Sequence, residues 1–313
     1  MGQVSRGLNM SRPDTEVWTI GRILQWTTGF FGHHQLDSPR LDAEILIAHA
    51  LKCQRVELYT RHSMPLSPGD RTSIRELVRR RTRDREPVAY ILGSKEFYGL
   101  SFEVGPDVLI PRPETEALIE AALTHLRAWE GEGPRVLDVG TGSGAIAVVL
   151  AHQVPGLRVV ATDISEGALA VARRNAQTHE VREGIDFLHA DGLSIPAELY
   201  KSEGKFQMLI SNPPYISPSY EDSLAPEILR HEPRTALFAP DDGDAMLQVL
   251  IDGAPSMVEE GGVVILESGT EEQIDRCLQR IRANRQYVGG ERVEDLAGLA
   301  RGVRAVIGKA DQT

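Results

Sequence analysis

Apolar residues recur every three or four positions over the first quarter of the chain. Val17, Ile20, Ile23 and Leu24 share one helical face, and Leu41, Ile45, Leu46, Ala48 and Leu51 share another. Asp37-Ser38-Pro39 gives a helix-start signal before the second run. Pro65 and Pro68-Gly69 then punctuate the chain before a further helix expected over 71–84. Around residue 97 the period shortens. The stretch 97–104 reads as a hairpin with Gly99 at its turn. Further on come short apolar runs at Arg135–Val139, Val159–Asp163, Ile185–His189, Gln207–Ser211 and Gly262–Leu266. Helical stretches such as the one through Ala168, Ala172 and Ala176 separate them. Strands alternating with helices predict an α/β fold with a largely parallel sheet covered on both faces. No internal repeat or low-complexity block interrupts the pattern.

Composition narrows this picture. The 313 residues are 41% hydrophobic, enough for two domains with ordinary cores. No run approaches the roughly 18 residues of a membrane span, and 1–14 contains no apolar core of a secretory signal. That stretch is expected to be a disordered tail. Cys53 and Cys277 have no metal-type spacing and read as reduced thiols, so no metal and a cytoplasmic location are expected. The net charge of −11 is unevenly spread: residues 1–100 carry a balance of +4, and residues 101–313 a balance of −15. An acidic second part is a poor surface for a polyanionic backbone, which favours a protein or small-molecule substrate over nucleic acid. The arginines between Arg71 and Arg85 form either a solvated face or a basic surface for an acidic or RNA-associated partner.

Two constellations carry candidate chemistry. Asp138-Val-Gly140-Thr141-Gly142-Ser143-Gly144 lies between a strand and a helix. Glycines there let the backbone turn tightly and approach a ligand at the positive end of the helix. The spacing is GxGxG, not the GxGxxG of dinucleotide enzymes. Asp163, at the end of the next strand, can accept both hydroxyls of a ribose. Asp191-Gly192, after the third strand, marks where an adenine would lie. These features define a nucleoside site and leave a nicotinamide cofactor open.

Asn212-Pro213-Pro214-Tyr215 closes the Gln207–Ser211 strand, at the sheet end where ligands sit in such folds. Neither proline has an N–H to continue a ladder, so the chain must leave the sheet there. An amide or aryl NH2 is a poor nucleophile because its lone pair is delocalised. The Asn212 side-chain oxygen and the Pro213 carbonyl can accept its two N–H bonds as the nitrogen becomes tetrahedral. The Tyr215 ring can stack on the planar group, which requires the ring and not the hydroxyl. Glutamine and adenine fit this clamp equally well.

Several blocks together resemble the release-factor glutamine methyltransferases, the HemK/PrmC-type enzymes. They are Glu86-Pro87-Val-Ala-Tyr90, Glu96-Phe97-Tyr98-Gly99, Ile110-Pro111-Arg112-Pro113-Glu114-Thr115-Glu116, the glycine turn, the Asn212–Tyr215 tetrapeptide, Glu232-Pro233-Arg234 and Val293–Arg304. The resemblance implies a helical substrate-docking domain over 15–92, a hairpin linker over 93–112 and a Rossmann-like, seven-stranded S-adenosylmethionine-dependent methyltransferase domain over 113–313. It implies contacts to S-adenosylmethionine (product S-adenosylhomocysteine) from Gly140, Thr141, Gly142, Ser143, Gly144, Asp163, Asp191, Gly192 and Asn212. Asn212, Pro213, Pro214 and Tyr215 would hold the glutamine of a Gly-Gly-Gln motif in class I peptide chain release factors. Arg112, Glu114 and Glu116 would lie near the substrate entrance, as substrate contacts or as a salt-bridge network. A monomer without direct nucleic-acid or membrane contact is expected. The alternatives are methylation of a ribosomal-protein glutamine and methylation of adenine N6 in DNA or RNA. In one place the chain departs from the family: Glu267-Ser-Gly269-Thr-Glu-Glu-Gln273 has its glutamine further behind the glycine. That segment is expected to pack below the cofactor.

Overall fold

The computed structural model describes residues 17–131, 133–201 (the side chain of Tyr200 excepted) and 204–308. The tail expected over 1–14 lies outside them. Contacts divide the chain into two compact units, Met1–Leu92 and Gly93–Thr313.

The first unit is helical, with helices at Ile20–His33, Pro39–Leu51, Glu57–Thr60, Pro68–Thr82 and Val88–Leu92. Ile23, Leu24, Leu46, Ile47, Ile74 and Val78 are buried together, as the helical spacing demands. Val17 and Leu41, expected on the same faces, are exposed. The arginine-rich helix starts three residues earlier than its period suggests. Ser67 and Asp70 cap each other reciprocally, and Pro68 occupies the first turn, where its missing N–H has no cost. Much of its basic charge is met inside the unit. Arg79 pairs with Glu76 and Asp84, Arg80 with Glu86 at 2.6 Å, and the buried Arg81 with Asp42 at 2.8 Å.

The second unit opens with the hairpin β1 (Ser94–Phe97) and β2 (Leu100–Glu103). Tyr98 and Gly99 both have positive φ, the two-residue loop whose twist suits a hairpin. Phe97 and Phe102 are buried in this unit's core, and Asn175 bonds both the N–H and the C=O of Glu103. The expected linker is therefore, over its hairpin, part of the second unit's packing.

The main sheet contains β3 (Arg135–Val139), β4 (Arg158–Asp163), β5 (Ile185–His189), β6 (Phe206–Ser211), β7 (Val258–Glu267), β8 (Tyr287–Glu294) and β9 (Ala300–Ile307). Their order is β5-β4-β3-β6-β7-β9-β8, parallel through β7, with β9 antiparallel to both β7 and β8. β3 and β6 are buried almost throughout, as strands covered on both faces must be. The chain steps outward from β3 through β4 to β5, then returns to the other side of β3 as β6. The order reverses between β3 and β6, and ligands in such sheets bind beyond the strand ends at that point. This is the seven-stranded α/β architecture the resemblance implies.

At the far end of β7 the antiparallel partner comes very close. A Cβ added at Gly302 would lie 2.0 Å from the Leu266 carbonyl oxygen and 3.1 Å from Glu267 Cα. Gly302→Ala must push β9 away from Leu266 and Glu267, at a cost of about 1–3 kcal/mol. Urea denaturation should show that loss; an unchanged midpoint and slope would mean the strands have slack at this point.

Candidate active site

The glycine turn follows β3 directly. Gly140, Gly142 and Gly144 all have φ in the left-handed region, and a Cβ on Gly144 would meet Ala172 Cα at 3.2 Å. Only glycine gives both the turn and this approach. Asp138 on β3 is fully buried. Its Oδ2 accepts the Thr141 hydroxyl at 2.6 Å, while its Oδ1 has no partner. Burial raises the Asp138 carboxyl to about 7, against the Thr141 hydrogen bond. Asp163, at the end of β4, accepts the Gly142 N–H and the Ser165 N–H, each at 2.9 Å. It thereby couples the turn to the strand beside it. Burial is the main cause of its raised pKa.

Gly140 to Ser143 and Asp163 border a cavity of about 420 Å³ that also reaches Asp191, Gly192 and Asn212. Of the predicted cofactor residues, Gly140, Thr141, Gly142, Ser143, Asp163, Asp191, Gly192 and Asn212 line it, and Gly144 does not. Ile164 and Val249 also line it while 54% and 50% exposed. Apolar surface of this kind suits a flat apolar base. With the Asp163 carboxylate at the strand end and the glycine turn beside it, the cavity offers an acidic acceptor and close backbone approach, as a nucleoside site requires. Sequence reading missed Ile164; its position directly after the strand-ending acid is the signal that marks it.

The tetrapeptide begins where β6 ends. Ser211 Oγ donates to the Val139 carbonyl at 2.6 Å, which fastens the tetrapeptide to the base of the glycine turn. Beyond it, Ile216 and Ala239 bond across to Leu237 and back to Ile216, fixing the exit of the loop. Asn212 and Pro213 lie in the wall between the large cavity and a smaller one of about 120 Å³. Tyr215 and Arg112 also line the smaller cavity. Pro214 lines the larger one, and Glu114 lines neither. Arg112 pairs with the buried Glu232 at 2.5 Å, and Glu232 also accepts the Ile110 N–H. Glu116 accepts the Tyr98 N–H at 3.0 Å. Two residues of the entrance block thus tie chain segments together.

The largest difference from the sequence reading concerns 267–273. That segment packs against the tetrapeptide. Glu267, 2% exposed at the end of β7, accepts the Tyr215 hydroxyl at 3.1 Å and the Thr115 hydroxyl at 2.6 Å. Asn212 Nδ2 in turn donates to Thr115 Oγ1 at 3.2 Å. Gln273 donates to the Tyr215 carbonyl at 3.1 Å and to Asp244 at 2.9 Å, and it accepts the Gly269 N–H. The Tyr215 hydroxyl is therefore engaged, a contact that the expected stacking role of its ring did not include. Thr115, Glu232, Glu267 and Gln273 were not singled out from sequence as site residues. Among them only Glu267 carried a signal, as an acid ending an otherwise apolar strand.

Burial pushes the Glu267 carboxyl up to about 7, with Glu114 adding to the rise and the Thr115 and Tyr215 hydrogen bonds and Arg112 opposing it. Between its ordinary value and 7 the folded state therefore holds this proton more tightly than the unfolded chain does. The contribution is full below the ordinary value and is lost as pH rises, by at most about 1.4 kcal/mol per pH unit. Glu267→Gln cannot titrate, so its stability relative to the wild type should improve between about pH 5 and about pH 8. Asp138 shifts in the same direction but is common to both proteins. A gap between the two melting curves that does not change with pH would contradict this assignment.

Comparison with known proteins agrees with the geometry. The family model described as the PrmC N-terminal domain matches residues 22–93, and the methyltransferase small domain matches 115–238. The chain is 45% identical to the release factor glutamine methyltransferase of Chlorobaculum tepidum, over 82% of its own length and 87% of the relative's. It is 42% identical to that of Rhodopirellula baltica, over 91% and 95%. Among solved structures, the hMettl16 catalytic domain in complex with a MAT2A 3′UTR hairpin superposes with a TM-score of 0.54 at 13% identity. That match covers 79% of this chain and 85% of the other and concerns the fold alone.

Proposed function

The chain belongs to the release factor glutamine methyltransferases, and from that premise we propose that it methylates the side-chain amide nitrogen of the Gly-Gly-Gln glutamine in class I peptide chain release factors. S-adenosylmethionine supplies a methyl group already activated on a sulfonium. The observation that carries the reading is the position of Asn212 and Pro213 in the wall shared by the two cavities. Groups there can touch a donor on one side and an acceptor on the other.

The chain's own residues then have separable tasks. The glycine turn, Asp163 and the surface around Asp191 and Gly192 hold the donor. Asn212 Oδ1 and the Pro213 carbonyl accept the two N–H bonds of the amide, strengthening as the nitrogen gains positive charge. The Tyr215 ring limits the plane in which the amide can lie, so that the lone pair faces the methyl. No strong base is needed beforehand, because the nitrogen loses its proton after transfer. Arg112, through Glu232, shapes the smaller cavity; Glu114 acts beside it, on the charge of Glu267.

Residues 15–92 form the docking domain in this reading, and the acidic balance of residues 101–313 favours a protein acceptor over nucleic acid. No helix among the described residues is long and apolar enough to cross a membrane. The enzyme acts in the cytoplasm, as a monomer, where release factors work.

Tritiated S-adenosylmethionine and purified release factor test the reading directly. Label should enter the wild-type factor and not one whose Gly-Gly-Gln glutamine is alanine; ribosomal proteins and duplex DNA should stay unlabelled. Asn212→Ala should lose at least about 10²-fold in kcat while still binding cofactor. Equal labelling of both factors, or labelling of DNA or ribosomal protein alone, contradicts the acceptor. Near-normal turnover by Asn212→Ala contradicts the clamp.

A further inference from the structure

We propose that Thr115 and Glu267 are positioning residues that fix the direction of the Asn212 amide, turning its oxygen rather than its NH2 toward the acceptor. The proposal rests on the reading of Asn212 as a hydrogen-bond acceptor and adds to it what makes that reading possible. An asparagine side chain has an acceptor and a two-proton donor of nearly equal size, and rotation by half a turn exchanges them. Facing a substrate NH2, the first orientation attracts and the second repels. Something in the protein must choose.

The choice follows from counting protons. With Glu267 ionised, the one hydroxyl proton of Thr115 goes to Glu267 Oε2 over 2.6 Å, the length of a charge-assisted O–H···O bond. The Thr115 oxygen is then left only as an acceptor. Its other neighbour, 3.2 Å away, must be a donor, and Asn212 can donate only through Nδ2. Oδ1 is thereby set on the opposite side of the amide. The reverse arrangement, with a proton on Glu267 donated to Thr115 and Thr115 donating to Asn212, is open only while Glu267 is protonated and closes once Glu267 is ionised.

The same carboxylate reaches the ring. Glu267 Oε1 accepts the Tyr215 hydroxyl, so one buried group sets both the amide and the stacking surface. These contacts come from three separate stretches of chain. Thr115 lies in the turn before the helix Glu116–Arg127, Asn212 and Tyr215 follow β6, and Glu267 ends β7. Neither Thr115 nor Glu267 needs to touch the acceptor to act.

A double-mutant cycle separates this from a merely structural role. Thr115→Val keeps the shape and removes both hydrogen bonds. It should lower kcat about 10- to 100-fold, with S-adenosylhomocysteine affinity unchanged, and Thr115→Ser should restore most of the loss. In an Asn212→Ala background the same Thr115→Val change should have almost no further effect on kcat, because residues acting as one unit are not additive. Should Thr115→Val fail to bind S-adenosylhomocysteine, Thr115→Ala, which removes the same two hydrogen bonds and leaves Glu267 with Tyr215, takes its place in the cycle with the same expectation. Losses that multiply in the double variant, or a single variant with normal kcat, overturn the proposal. An Asn212→Ala protein with normal turnover overturns the acceptor reading itself, and this inference with it.

Discussion

A carboxylate with almost no exposed surface must have its lone pairs met by donors, and Glu267 finds its donors in the hydroxyls of Thr115 and Tyr215. The geometry of the tetrapeptide depends on that requirement. Two prolines make the segment after β6 stiff and take it out of the ladder, but they do not decide which way Asn212 or Tyr215 faces. That decision comes from β7, the neighbouring strand, and from a turn almost a hundred residues earlier in the chain. The end of β7 that carries this carboxylate is paired with β9, which lies close against it at Gly302.

The opposite side of the site follows the same logic with a different strand. Asp138 is buried beneath the glycine turn as Glu267 is buried beneath the tetrapeptide. Both acids end or nearly end a central parallel strand, and both have their pKa raised by burial. Between them, the Ser211 hydroxyl joins β6 to β3. The reversal of strand order between β3 and β6 opens the crevice, and buried polar groups at these strand ends fix its walls. Sites built on strand ends in this way hold their geometry better than sites carried wholly on loops.

Much of this was legible in the sequence. The five parallel strands appeared as short apolar runs whose limits the structure moves by a few residues at most, because strands buried on both faces leave an unbroken apolar signature. β7 is the exception: it begins at Val258, where Glu259 and Glu260 hide the start from any apolar count. The glycine turn and the tetrapeptide were visible because their residue types are rare in combination and follow strands. Thr115, Glu232, Glu267 and Gln273 were not visible as a group, since hydrogen bonds across 29 to 152 positions leave no local pattern. The exposed Val17 and Leu41 show the same limit from the other side: helical spacing marks a face without saying how far packing extends along it.

The site therefore consists of a clamp that sequence can identify and a support that only the fold reveals. Its central claim is chemical: the methyl group goes to a planar side-chain nitrogen, held by acceptors on Asn212 and Pro213. Tandem mass spectrometry of release factor incubated with the enzyme and S-adenosylmethionine tests that claim most directly. The account predicts a single added methyl on the glutamine of the Gly-Gly-Gln peptide, released as methylamine on acid hydrolysis. A methyl on a carboxylate, on a main-chain nitrogen or on any other residue would contradict it.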